Sequence, residues 1–151
     1  FEARYNETLT KLRNDGKITV EYRPLGFLDS KSSTNYSSRA ANAAACVVNE
    51  SPEKYSDFVD LLFAKQPAEG SAGLSDNELK KMASDIGAKS IDQCVDGKTY
   101  RPWVKHTTQE ATVIGVSGTP TVFVEGKQWG VGDSAKTPFD QFLQAAVDAK
   151  K

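Results

Sequence analysis

The residue types that build many catalytic sites are scarce in this sequence. Its 151 residues include one histidine and two cysteines, and Cys46, Cys94 and His106 lack the spacing of zinc ligands. The sequence has no G-x-S-x-G element of a serine hydrolase and no Gly-Lys-Ser/Thr ending of a phosphate-binding loop. It therefore disfavours metal catalysis, serine hydrolysis and nucleotide hydrolysis, and we expect neither a metal nor another cofactor.

A large charge of one sign and a long apolar run are also missing. The 19 Lys and Arg residues nearly balance the 20 Asp and Glu residues, so the sequence lacks the basic surface that a nucleic-acid partner requires. The longest apolar run, Ala40 to Val48, is interrupted by Asn42 and is far shorter than the ~20 residues of a membrane span. With 38% apolar and 26% charged residues, the composition is that of an ordinary globular chain.

Apolar periodicity predicts a mostly helical chain. Trp103 and Ile114 are expected core positions on one of these helices, and the single histidine is expected to face solvent. The predicted helices are Phe1–Gly16, Arg39–Asn49, Pro52–Phe63, Ser75–Ile86, Ser90–Val95, Pro102–Ile114 and Pro138–Val147. Ser37 or Ser38 is expected to cap the second helix and Thr137 the last. Ser75 and Glu78 are expected to form a capping box at the start of the fourth.

Two regions have the pattern of strands. Apolar and polar residues alternate over residues 17–23, which predicts one strand. The run Thr121 to Val124, the turn pair Glu125-Gly126 and a return to Trp129 predict a hairpin. The simplest way to cover three short strands is one sheet, with the intervening helices inserted between its two halves.

The run Gly118-Thr119-Pro120-Thr121 directly before the hairpin is the most informative local feature. Proline cannot donate to a β-ladder, so it belongs at the first residue of a strand or at an edge. An X-Pro bond also adopts the cis form at a cost of only about 0.5 to 1 kcal/mol. Taken alone, the run is better explained by an ordinary turn that begins a strand.

Three sequence segments together resemble one family. Residues 116–127, VSGTPTVFVEGK, resemble the cis-proline segment of DsbA-like thioredoxin-fold proteins, and FEARY (1–5) followed by GKITV (16–20) resembles the part that lies just after their Cys-x-x-Cys motif. YSSRAA (36–41), with Cys46 and Cys94, is similar to secreted actinobacterial members. The resemblance implies an α/β fold, a thioredoxin fold with an inserted α-helical domain, with residues 1–28 and 115–151 in the first part and 29–114 in the insertion.

The same resemblance implies a function and a site. It implies an extracytoplasmic thiol-disulfide oxidoreductase, secreted or in the cell envelope, which introduces or exchanges disulfides in unfolded or reduced secreted proteins. Thr119 and Pro120, with a cis bond between them, would bind the substrate backbone. A vitamin K epoxide reductase-like or DsbB-like membrane protein would re-oxidise it. The first strand and the Cys-x-x-Cys are not in these residues, so the catalytic motif is expected just upstream of Phe1, in a segment that would also carry any membrane anchor.

The two cysteines are too far apart in the sequence to form a local redox pair. Cys46 and Cys94 are therefore either a structural disulfide across the helical block, worth about 4 kcal/mol in the chain-entropy model, or two buried free thiols. The resemblance implies the disulfide, because the similar secreted proteins carry a second one in this region.

Two other functions remain open at this point. One is a redox-inactive thioredoxin-fold module that binds peptides or acts as a chaperone. The other is glutathione-dependent transfer or isomerisation, which would place a serine at the head of the first helix. The three functions differ in the sequence upstream of Phe1.

Overall fold

The computed structural model describes residues 1–149 and divides the chain into two compact units. The split unit consists of Phe1–Tyr22 and the chain from Gly118 onward, and the helical unit is Arg23–Ser117. The sequence placed these boundaries at 28/29 and 114/115. The first boundary lies earlier because Gly26 is bound within the helical unit, where its N–H donates to Oγ1 of Thr108 at 2.9 Å.

Most of the described residues that lie in regular structure are helical. The elements are α1 (Glu2–Asn14), α2 (Tyr36–Glu50), α3 (Tyr55–Ala64), α4 (Asp76–Asp85), α5 (Asp92–Asp96), α6 (Arg101–Val113), β1 (Phe123–Val124), β2 (Lys127–Gln128) and α7 (Phe139–Asp148), with 3₁₀ turns at Asp29–Lys31, Pro52–Lys54 and Gly132–Ser134. None of the helices in the described part of the chain has both the length and the apolar composition that a bilayer span requires.

Helix α2 is the centre of the helical unit. It packs against α3, α4, α5 and α6. Its inner face carries small residues, among them Ala43 and Ala44, which are almost fully buried and let neighbouring helices approach closely. The core of the helical unit consists of Ala43, Ala44, Cys46, Val47, Phe58, Leu79, Met82, Ala83, Ile91 and Val95.

The split unit has a separate, smaller core between α1, the hairpin and α7. Its buried residues are Tyr5 and Leu9 of α1 and Phe139 and Leu143 of α7. Partly buried side chains from the hairpin region and from residues 18–20 pack around them. The periodic apolar faces predicted for the first and last helices are therefore the ones that meet.

The strand predicted over residues 17–23 is wrong. These residues join no β-ladder, and the sheet in the described part of the chain has two strands, β1 and β2, instead of three. The alternation did indicate the inward face, because Ile18 and Val20 pack against the core of the split unit. A strand also needs a neighbouring strand with which to form hydrogen bonds, and the alternation of apolar and polar residues does not show whether one is present.

Two helix ends and two core assignments also differ from prediction. Helix α2 begins at Tyr36, because Ser38 is used elsewhere: its N–H donates to Oδ1 of Asp29 at 2.8 Å. Helix α7 begins at Phe139 with Pro138 as its N-cap residue. Trp103 and Ile114 are 42% and 75% exposed, because the buried face of α6 runs through Val104 and Ala111.

A clasp around Arg39 holds the loop before α4. The Arg39 guanidinium donates to the carbonyl oxygen of Leu74 at 2.7 Å and to Oδ1 of Asp76 at 2.9 Å, and it lies 5.7 Å from the centre of the Tyr36 ring. Gly73 fits against the same ring, since a Cβ there would lie 2.3 Å from a ring carbon of Tyr36. This loop therefore requires glycine for its packing as well as for its φ of +69°.

Gly73→Ala should destabilise the helical unit more than Gly70→Ala. Both glycines have positive φ, and a Cβ at Gly70 meets nothing within 4 Å. Gly70→Ala should therefore destabilise the chain by only about 1 kcal/mol, the strain of placing alanine at a positive φ. Gly73→Ala should lose roughly 1–3 kcal/mol more from the clash with Tyr36. Urea denaturation of the two variants measures the difference, and equal stabilities would contradict this account of Gly73.

The capping box predicted for α4 is confirmed. The backbone N–H and the hydroxyl of Ser75 donate to Oε2 of Glu78 at 2.6 and 2.7 Å, and the Glu78 N–H donates back to Oγ of Ser75 at 3.2 Å. The hydrogen bonds from the Ser75 backbone and then from its side chain lower the pKa of Glu78 below its usual value.

Glu78→Gln should therefore alter how stability depends on pH. A carboxyl group with a lowered pKa in the folded state stabilises above its unfolded pKa of about 4.3, and this contribution is lost as pH falls through the folded pKa. The unaltered chain should exceed the variant in stability at pH 7, and the gap should shrink below about pH 4. Glu69→Gln, in the exposed loop before α4, is the control for the removal of one surface carboxylate. A gap independent of pH in thermal unfolding would refute the assignment.

Candidate functional site

The exposed segment before β1 carries the candidate substrate-binding residues. Ser117, Gly118, Thr119 and Pro120 are all exposed, and the Thr119–Pro120 peptide bond is cis, as the sequence predicts. The Oγ1 hydroxyl of Thr121 donates to the carbonyl oxygen of Gly118 at 2.7 Å. The segment is thus a defined turn that presents its main chain to solvent.

The backbone of Thr119 is available for binding. Within residues 1–149, neither its N–H nor its C=O takes part in a hydrogen bond. Water satisfies such groups when they are exposed, and an extended peptide can replace that water by main-chain hydrogen bonds, as in β-strand addition. We call the exposed backbone of residues 118–120 the peptide platform.

A tight hairpin fixes the chain that follows the platform. Phe123 lies opposite Gln128, and Val124 lies opposite Lys127. The two turn residues have positive φ, 49° at Glu125 and 76° at Gly126, which is the type I′ geometry that matches the twist of paired strands.

Four aromatic rings join this hairpin to α1 and α7. Phe1, Tyr5, Trp129 and Phe139 all contact one another, with centroid separations from 4.8 Å for Phe1–Phe139 to 6.3 Å for Tyr5–Trp129. The Nε1–H of Trp129 also donates to the carbonyl oxygen of Thr137 at 2.8 Å. This set of four rings, the aromatic cluster, holds the start of α1, the end of the hairpin and the approach to α7 together.

The N-terminal end of α1 lies in the aromatic cluster. The carbonyl oxygen of Phe1 accepts the N–H groups of Arg4 and Tyr5, both at 3.0 Å, and Phe1 is the N-cap residue of the helix. The N-terminal end of a helix bears a partial positive charge, which favours the thiolate form of a cysteine placed there.

Apolar side chains in and just after the hairpin differ in exposure. Phe123 is 51% exposed and Val131 is 49% exposed, so both offer apolar surface to solvent. Trp129 is half-buried in the aromatic cluster. Phe123 is therefore the more accessible of the two aromatic side chains of this region.

Cys46 and Cys94 form a disulfide, so the alternative of two free thiols does not hold. The bond joins α2 to α5 across 48 residues, with 5.9 Å between the Cα atoms. Cys46 is completely buried, and Nδ2 of the buried Asn42 lies 3.9 Å from its sulfur. Oδ1 of Asn42 accepts the N–H of Tyr100 at 2.8 Å. Cys94 is partly buried, so the bond lies at the edge of the core of the helical unit, where it ties α5 to α2.

His106 takes no part in a site. It lies on the exposed face of α6, with its Nε2 3.4 Å from Oε1 of Glu110 one turn away. In the part of the chain that the structure describes, no group of three or more His, Cys, Asp or Glu residues is gathered for a metal ion.

The sequence indicates the turn before the hairpin but not the aromatic residues that pack beside it. The substrate-binding role of Thr119 and Pro120 is implied by the family resemblance and stays a prediction. The role of Trp129 and Phe1 was missed, because they are 128 residues apart and their contact arises only when the hairpin and α1 pack. Phe1 and Tyr5 are spaced so that they lie on one face of a helix. This spacing predicts that the face packs in a core, but it does not show which residues the two rings contact.

The chain was compared with families and proteins of known sequence or structure. The sequence model described as Thioredoxin matches residues 1–148. Among solved structures, DsbA from Mycobacterium tuberculosis in its reduced form is 29% identical with a TM-score of 0.79, and the match covers 99% of this chain and 78% of that one. Reduced DsbG from the same organism is 31% identical with a TM-score of 0.79, covering 99% of this chain and 74% of that one.

A curated relative is a longer protein of another kind. The serine/threonine-protein kinase PknE of Mycobacterium tuberculosis is 34% identical over 119 residues, which is 72% of this chain and 21% of the kinase. The chain therefore spans about a fifth of the length of the curated relatives it matches.

Reduction of the Cys46–Cys94 bond should destabilise the helical unit. Because the bond joins residues 48 apart, its loss should lower the free energy of unfolding by roughly 2–4 kcal/mol. Denaturation in urea with and without a reductant measures the loss, and a Cys46→Ala/Cys94→Ala variant, the control, should not respond to the reductant. Alkylation of the denatured, unreduced chain followed by mass measurement should label neither residue. Two labelled cysteines would exclude the bond.

Proposed function

Because the chain belongs to the thioredoxin family, and within it to the DsbA-like proteins, we propose that it is part of an extracytoplasmic thiol-disulfide oxidoreductase. Its substrates would be unfolded or reduced secreted proteins, into which it introduces disulfides or whose disulfides it exchanges. The Cys46–Cys94 bond supports an oxidising compartment, where structural disulfides persist.

The observation that carries the proposal is the unpaired, exposed backbone of Thr119. An enzyme that acts on many different proteins must bind what they share, and an extended main chain is common to them all. Two main-chain hydrogen bonds at Thr119 would hold such a chain without reading its side chains. The exposed ring of Phe123 adds apolar surface near the platform, which suits the exposed apolar residues of an unfolded substrate.

The proposal places a Cys-x-x-Cys motif just upstream of Phe1, at the N-terminal end of α1. In the oxidised form, a substrate thiolate attacks one sulfur of the motif, the motif's disulfide breaks, and the other cysteine leaves as a thiolate. A second substrate thiol gives up its proton, and its thiolate attacks the substrate sulfur of the mixed disulfide. The bond to the motif breaks, the motif cysteine leaves as a thiolate, and the two motif thiolates take up protons. The substrate then holds a disulfide and the motif holds two thiols, so two electrons have passed to the enzyme.

The helix end contributes to this exchange directly. Its partial positive charge stabilises the cysteine thiolate that leaves, which makes that cysteine a better leaving group. Re-oxidation of the two thiols requires an electron acceptor, for which we propose a membrane-bound quinone reductase of the vitamin K epoxide reductase-like or DsbB-like class. An anchor upstream of Phe1 would keep the two proteins in one membrane.

A second candidate is a redox-inactive module that binds peptides. The match to about a fifth of a protein kinase favours it, because a similar sequence there forms part of a protein of another class. The platform of Thr119 would serve such a module equally well. A serine in place of the first cysteine would instead indicate a glutathione-dependent activity on the same fold.

The sequence upstream of Phe1 and the activity of the full-length protein together distinguish these functions. With Cys-x-x-Cys present, the full-length oxidised protein should restore activity to reduced, denatured ribonuclease, and replacing the first cysteine by alanine should abolish this. Absence of the motif together with peptide binding would select the binding module. Inactivity with the motif present would overturn the oxidoreductase.

Thr119→Pro tests the platform itself. It removes the backbone N–H that would bind substrate, and the loss of one such hydrogen bond, about 1–1.5 kcal/mol, should lower kcat/KM for reduced ribonuclease roughly tenfold. Ser117→Pro, in the same exposed segment, is the matched control and should change it less than about threefold. Circular dichroism should show both variants folded. Equal effects of the two substitutions would argue against binding at Thr119.

A further inference from the structure

We propose that Trp129 is a positioning residue for the exchange reaction, because it holds the peptide platform in a fixed place relative to the N-terminal end of α1. This inference rests on the proposed function, in which the substrate chain lies on Thr119 and the reactive sulfur lies at that helix end. Trp129 touches neither the substrate nor the sulfur. It would act through the hairpin on one side and through Phe1 on the other.

The backbone of Trp129 connects it to the platform. Its N–H donates to the carbonyl oxygen of Val122 at 2.9 Å, which adds a bond to the hairpin beyond the Phe123–Gln128 pair. Val122 is two residues after Pro120, and it packs against the core of the split unit. The main chain leaving the platform is therefore fixed by the residue that carries the indole.

The indole of Trp129 connects it to α1. Its ring centre lies 6.0 Å from that of Phe1 and 6.3 Å from that of Tyr5, and the Tyr5 contact is edge-to-face at 82°. Phe1 is the N-cap residue of α1, so a ring on the helix end itself rests on the indole. A shift of Trp129 would therefore move the hairpin and release the helix end together.

A hydrogen bond fixes the orientation of the indole. Nε1–H of Trp129 donates to the carbonyl oxygen of Thr137 at 2.8 Å, and the ring meets Phe139 edge-on at 5.3 Å. Aromatic packing alone permits a ring to slide or turn, whereas this bond allows one orientation. Phenylalanine at this position would keep most of the ring contact and lose the bond, and leucine would lose both.

Exchange with a protein substrate requires the platform and the sulfur to be placed correctly at the same time. A misplacement of about 1 Å between two reacting groups can cost a rate of the order of 100-fold. A small thiol such as dithiothreitol is not held by the platform and reaches the motif directly. A defect in positioning should consequently slow the protein substrate and spare the small thiol, whereas a loss of folded protein slows both.

The test uses the full-length protein with its upstream motif and three variants. Trp129→Leu should lower kcat/KM for reduced ribonuclease roughly tenfold and change the rate of reaction with dithiothreitol less than about twofold. Trp129→Phe should show a smaller selective loss, of about threefold, because it retains the ring. Trp103→Phe is the matched control: Trp103 is 42% exposed on α6 of the helical unit and should affect neither rate.

Each outcome has a definite meaning. Selective loss with the protein substrate, graded from phenylalanine to leucine, supports the positioning role, and thermal unfolding identifies a variant that has lost its fold. If Trp129→Leu does not fold, the ratio of the two rates in Trp129→Phe decides. Equal losses in both reactions, or no loss in either, would overturn the role of Trp129 while leaving the proposed function in place. Inactivity of the unaltered protein would overturn the proposed function and this role with it.

Discussion

The split unit depends on the packing of four aromatic rings. Phe1 and Tyr5 come from the first helix, Phe139 comes from the last, and Trp129 comes from the end of the hairpin. Aromatic pairs at such distances contribute about 0.5–1.5 kcal/mol each beyond the burial of their area. Up to residue 149 the unit has two strands of two residues, too few to be stable alone. These rings and the apolar residues around them therefore stabilise the hairpin against both helices.

The helical unit is stabilised in a different way. Its central helix has small residues that admit close neighbours, and a covalent bond ties that helix to α5, which has only five residues. A helix of this length does not form by its own propensity. The disulfide, together with the buried Ile91 and Val95, therefore keeps α5 in place, and the polar contacts of Asn42 satisfy the backbone beyond it.

Features that depend on residues close together in the sequence could be predicted. Features that depend on contacts between residues far apart in the sequence could not. The capping box at Ser75 and the turn at Glu125-Gly126 follow from local chemistry, and the structure contains both. Whether Trp103 and Ile114 are exposed depends on which residues pack beside α6. Whether residues 17–23 join a β-ladder depends on whether another strand lies beside them. For the same reason the cis bond before Pro120 could be predicted, whereas the packing of Phe1 against Trp129 is evident only in three dimensions.

The Cys46–Cys94 bond has a consequence for the fate of the chain outside a cell. It turns residues 46–94 into a covalent ring that includes α3 and α4, and the exposed connection between those helices, residues 65–73, is the kind of segment that proteases cut first. One cut there opens the ring without separating its ends. The nicked protein remains a single molecule, with both fragments still tethered at their shared core.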